Sequence, residues 1–175
     1  MPEPTPRNLF AEGDASAAIL RKWWRELQSD EEERARIRRC GDPSSVMLSP
    51  EYQRLLDLLK GAGYELDAGH SYAVAAVTGL VAQVTSDTGP GVTFAHQMAA
   101  PAPGSKKARI SGLRFHRLIG EEQREMVYLL LMPVMDLLSG TVNLTDMARG
   151  LFKWDAAARK RWSDEYYAVV RREGK

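Results

Sequence analysis

The sequence predicts an all-α fold, a helical bundle of two small lobes, on three observations. Apolar residues recur at helical spacing along most of the 175 residues. Helix-start and helix-stop residues bracket those runs. No stretch shows the alternation and regular hairpin turns of a sheet, and no internal repeat is visible. The composition, 44% hydrophobic and 27% charged, is that of an ordinary globular chain long enough to bury a core.

The elements follow in order. Met1-Pro2-Glu3-Pro4-Thr5-Pro6 carries three prolines and no signal-peptide-like apolar stretch, so residues 1–12 are expected to be a disordered tail. Asp14-Ala15-Ser16 opens a helix whose buried stripe is Leu20, Trp23 or Trp24, and Leu27. Ser29 is the expected cap of a second helix, with Asp30 to Glu33 in its first turn and Arg36, Arg38 and Arg39 in its last. Acid first and base last complements the helix dipole, and Gly41 is expected to supply a left-handed exit. Ser49-Pro50-Glu51 starts a helix with buried Tyr52, Leu55, Leu56 and Leu59, ended by Gly61-Ala62-Gly63. Tyr72 to Val84 is apolar and alanine-rich, which favours a buried helix over a strand.

Loops at 85–91 and 100–105 flank the short segment Val92 to Met98. The second loop divides an N-terminal helical lobe (13–99) and a basic linker (100–108) from a C-terminal helical lobe (109–175). Leu113 to Ile119 predicts a short helix. Glu121 to Leu138 predicts a long one kinked at Pro133 and ending at Gly140. Leu144 to Phe152 is amphipathic, and Asp155 caps a last helix with Trp162, Tyr166, Val169 and Val170 on one face. Trp23, Trp154 and Trp162 are expected in the core.

Several function classes find no support. His70, His96 and His116 are scattered, and Cys40 is the single cysteine, so no metal-ligand spacing exists and no cofactor is expected. One cysteine suits a reducing cytosol, and cytoplasmic location is the expectation. The longest apolar run, Met126 to Leu138, is too short and too interrupted to span a membrane. Gly89-Pro90-Gly91 and Gly104-Ser105-Lys106-Lys107 lack phosphate-loop spacing and read as turns. Glu121, Glu122 and Glu125 read as acids matched to a helix N-terminus, not as paired catalytic carboxylates. With no activated nucleophile either, no catalytic residue is assigned and the chain is not expected to be an enzyme.

The net charge is only +1, so any affinity for polyanions must come from segregation of charge. The run from Lys106 to Arg117 provides it: Lys106, Lys107, Arg109, Arg114 and Arg117, with no acid. Arg114 and Arg117 share a helical face. Arg38–Arg39 forms a second cluster and Arg159-Lys160-Arg161 a third, the last surrounded by Asp155, Asp164 and Glu165. On charge alone, such clusters are more often solvated surface than a nucleic-acid footprint.

Four stretches together resemble the CasB family, the small subunit of the type I-E CRISPR complex Cascade. They are the early helix Leu20 to Leu27 followed by Ala35-Arg36-Ile37-Arg38-Arg39; the segment Gly91 to Met98; the arginine-rich turn and helix Arg109 to Ile119; and the run Val142, Met147-Ala148-Arg149, Leu151, Trp154, Trp162 and Tyr166-Tyr167. The second departs from the family in having Ala95-His96 where glycine and a basic residue are common.

The resemblance implies a non-catalytic helical subunit of two small bundles. Its implied partners are the large subunit, the repeated backbone subunits, a second copy of itself, CRISPR RNA and target DNA. Sequence choice would belong to guide pairing, and this subunit would supply backbone contacts that stabilise the guide–target hybrid and the displaced strand. The implied nucleic-acid-binding residues are Arg38, Arg39, Arg109, Arg114 and Arg149, to which the basic run adds Lys106, Lys107 and Arg117. Arg149 has Asp146, three residues earlier, as an alternative internal partner. The rival reading is a purely protein–protein scaffold.

Overall fold

The structure, a computed structural model, describes residues 4–174, among which ten α-helices account for most of the chain. The all-α expectation is borne out. The only paired strands among the described residues are two-residue segments, β1 (Ser86–Asp87) and β2 (Thr141–Val142), joined in parallel.

Residues 9–12 correct the expected tail. After a 3₁₀ turn at Pro6–Asn8, Leu9 and Phe10 are buried, and the Phe10 ring packs edge-on against Phe152 at 5.9 Å. Phe10 adopts φ 66° while its N–H donates to Ser16 Oγ, so the turn aims an apolar pair inward. Prolines suggest disorder in the sequence, but two large apolar side chains dominate the packing. Residues 1–3 of that expected tail lie outside the described residues.

Helix α1 (Ala15–Gln28) begins at Asp14, whose carboxylate accepts from Ser16 N, and it buries Leu20, Trp23 and Leu27. Helix α2 (Glu31–Arg38) is capped by Asp30, not by the expected Ser29, which instead closes α1. Asp30 Oδ1 accepts from Glu33 N at 3.0 Å, and aspartate one residue closer to the acidic first turn serves the cap equally well. Gly41 does not take a left-handed conformation; Arg39 closes α2 with right-handed geometry and the chain runs on to Asp42.

Helices α3 (Pro43–Val46) and α4 (Pro50–Gly61) both place proline at the start, and Ser49 caps α4 as expected. Helix α5 (Ala68–Val81) is the hub. It starts earlier than the apolar run because Asp67 and His70 form a reciprocal capping box, and every residue from Ala73 to Val81 is buried. Helices α2, α3 and α4 pack on it from one part of the chain. From the other come α8 (Arg124–Leu137) and α9 (Leu144–Phe152). Gly79 of α5 admits Tyr128 of α8 so closely that a Cβ there would collide with the phenol. The Tyr128 hydroxyl donates to Cys40 O at 3.1 Å.

The remaining helices form a second group. Helix α6 (Phe94–Ala99) packs along α10 (Ala156–Glu173), and α7 (Gly112–Gly120) lies against α8 and α10. Thus α6, which precedes the 100–108 loop in sequence, sits with the helices that follow it. Phe94 and Trp154 meet the Trp162 ring edge-on, each at 5.1 Å, and Phe115 stacks flat on Tyr166 at 3.8 Å. One continuous apolar core joins both groups.

Candidate nucleic-acid interface

The loop 100–111 is built to hold its cations outward. Arg109 N donates to Ala100 O at 3.2 Å and Ile110 N to Met98 O at 2.9 Å, so the loop folds back on the end of α6. Ile110 is fully buried, and its carbonyl accepts from the Tyr166 hydroxyl at 2.5 Å. Lys106 and Lys107 lie exposed near the loop tip, and Arg109 is exposed beside the Ile110 anchor. Ser111 then caps α7 through Arg114 N. Phe115 and Leu118 fill the core, which leaves Arg114 and Arg117 on the exposed face, as their spacing predicted.

None of these five side chains forms an ion pair among the described residues. The third basic cluster contrasts with them. Arg159 pairs with Glu122 at 3.3 Å, Lys160 with Asp164 at 2.6 Å, and Arg161 with Asp146 at 2.9 Å and Glu165 at 3.3 Å. Its charge is neutralised internally.

Arg38 and Arg39 sit at the end of α2, which packs on α1 and α5, whereas α7 packs on α8 and α10. The two clusters therefore occupy different elements. Arg38 Nε donates to Gln83 Oε1 at 3.2 Å, which orients the guanidinium without neutralising it. One turn earlier, half-buried Arg34 has Nε and Nη2 without partners. Burial first, and then the Arg38 charge, push Arg34 below the usual arginine pKa. Glu31 partly offsets that push, while Arg38 and Arg39 make no ion pair among the described residues and so present positive charge at the end of α2.

Arg149 is exposed on α9 and does not pair with Asp146, which is held by Arg161 and also accepts from Phe94 N at 2.8 Å. The internal alternative for Arg149 is thereby excluded. Sequence reading missed Arg171 and Arg172. They lie in the last turn of α10, whose neighbours Val170 and Glu173 share a cleft with Lys106. The dipole rule accounts for arginines at a helix end, and nothing in the sequence brought that end to the 100–111 loop.

The histidines stay apart: His70 lies in the α5 capping box, His96 on α6 and His116 exposed on α7. Among the described residues no three His, Cys, Asp or Glu side chains converge as metal ligands. No described helix is long and apolar enough to cross a membrane.

The model of the CRISPR-associated protein Cse2 family matches residues 33–167. A search of curated proteins gave no match. Among solved structures, a chain in the crystal structure of E. coli Cascade bound to a PAM-containing dsDNA target is similar at a TM-score of 0.69. That match covers 89% of this chain and 96% of that one at 20% identity, a likeness of fold.

Proposed function

Because the chain belongs to the CRISPR-associated Cse2 family, the CasB family that its motifs resembled, we propose that it is the non-catalytic small subunit of a type I-E Cascade complex. In that setting it binds nucleic-acid backbone without reading sequence. It stabilises the guide–target hybrid and the displaced strand while guide pairing selects the target.

One observation carries this reading: the contrast between the paired cluster at 159–161 and the exposed, unpaired cations of 106–117. Cations that make no internal ion pair are available to phosphate, and arginine grips it through two parallel hydrogen bonds. Arg38, Arg39 and Arg149 extend the positive surface on α2 and α9. Contacts of this kind confer register and affinity but not base choice.

Neighbouring subunits, including a second copy, need apolar surface as well. Met126, Leu129 and Leu137 are 41%, 44% and 47% exposed and follow one face of α8 together with exposed Pro133. Such a stripe suits a protein partner.

The test is equilibrium binding of the purified protein to unrelated single strands over a range of salt. Similar affinity for all sequences and a steep loss with salt are the expected results, because bound cations release condensed counterions. Absence of salt-sensitive binding would leave the scaffold role alone.

A further inference from the structure

A groove that the sequence did not reveal runs past the C-terminal half of α9. Three clefts adjoin there, with Arg149 lining the first and second and Lys153 lining the second and third. Arg149 and Lys153 are one helical turn apart, about 6 Å along the axis, a step that successive phosphates of an extended strand can follow. Both are exposed and unpaired among the described residues, as is Arg7 at the far end.

The third cleft, about 370 Å³, is of a different character. Its walls include Phe152, Trp154 and His70, and its rim carries Arg7, Arg124 and Lys153. The His70 ring stacks on Phe152 at 5.8 Å and 25°. Its orientation is fixed further because Asp67 N donates to its Nδ1 at 3.3 Å. Arg124 is anchored by donating to Leu151 O at 3.1 Å and Phe152 O at 2.9 Å, so its guanidinium is held rigidly at the cleft. Asp155 is the one acid lining this third cleft, and its Oδ1 is occupied in capping α10 through Ala158 N at 2.8 Å; the acids of the first cleft, Glu12 and Asp146, are paired with Arg21 and Arg161.

We infer that this groove holds a single-stranded polynucleotide, with phosphates on Arg149, Lys153 and Arg7 and one unpaired base in the cleft against the part-exposed His70 ring, which Phe152 and Trp154 support from the core. The inference rests on the nucleic-acid reading above and adds to it a base-accepting site of small-ligand size. The part-exposed His70 ring beneath a cationic rim matches a nucleotide in both parts: the base finds a π-face and the phosphate finds cations. An acidic peptide would satisfy the rim alone.

The test compares two fluorescent probes on the full chain, an oligothymidylate and the same strand with abasic sites. Wild type is expected to prefer the oligothymidylate by about tenfold, the scale of one base–aromatic stack. Lys153→Glu combined with Arg149→Glu weakens both probes. His70→Gln removes the ring while glutamine still suits the capping box, and it lowers affinity for the oligothymidylate to that for the abasic strand. Melting temperatures of each variant close to wild type establish that folding is intact.

Equal binding of the two probes by wild type overturns the base site. So does a preference that survives His70→Gln, or displacement of the oligothymidylate by oligoglutamate of matched charge at equal concentration. If Arg109→Ala with Arg114→Ala weakens binding while the groove variant does not, the groove inference falls and the broader reading stands. If wild type binds neither probe, both fall.

Discussion

Asp146 of α9 and Arg161 of α10 form an ion pair at 2.9 Å, and this pair leaves Arg149 free on the same helix. Asp146 also receives the Phe94 N–H, so one carboxylate ties the start of α6 to both helices. Asp146→Asn keeps an oxygen for Phe94 but removes the charge facing Arg161. A loss of about 1–3 kcal/mol is expected, read as a lower denaturation midpoint at unchanged slope.

Gly150 lies against the Trp162 indole, and a Cβ added to it would come within 2.5 Å of Cζ2. An exposed helical glycine replaced by alanine ordinarily gains about 0.5–1 kcal/mol. Gly150→Ala should reverse that sign and cost about 1–3 kcal/mol by overpacking, checked by thermal melting.

Trp154 and Trp162 are 7% and 0% exposed, and Trp154 Nε1 donates to Glu121 O at 2.7 Å. Each alanine replacement should cost about 3–5 kcal/mol. Wild-type stability combined with abolished DNA binding would make them stacking platforms instead of core.

Glu12 binds Arg21, and chiefly that hydrogen bond, opposed by desolvation, holds its carboxyl below the ordinary 4.5. A lowered folded-state pKa contributes stability that is fully present above the unfolded value and is lost as pH falls through the folded one. Glu12→Gln should therefore lower the denaturation midpoint at neutral pH, and the gap from wild type should close below pH 4.5. A gap independent of pH would assign the effect to packing.

Local signals in the sequence were informative where a residue acts on its own neighbourhood. Ser49, Asp155, the Phe115–Leu118 face and the outward turn of Arg114 and Arg117 all depend on spacing within a few residues. Legibility failed where distant segments decide. Leu9 and Phe10 are buried because Phe152 lies far along the chain to receive them. Helix α6 joins α10 through Phe94 and Trp162, and that pairing has no local signature. The same limit applies to charge: the cluster 159–161 is neutralised partly by Asp146 and Glu122 from other elements. Lys153, Arg7 and Arg124 stand as isolated cations in sequence and meet only at the α9 groove.

The unpaired cations of the 106–117 stretch are the proposed phosphate contacts. The most direct measurement is the dependence of single-strand affinity on salt for wild type and for Arg109→Ala with Arg114→Ala. Both residues are exposed, so stability should change by only about 0.5 kcal/mol. Affinity for unrelated strands should fall by similar factors, and the slope of log affinity against log salt should flatten by about 0.7 for each phosphate the variant no longer holds. A variant that keeps the wild-type slope while failing to assemble with its partner subunits would place these arginines in a protein interface and contradict the account.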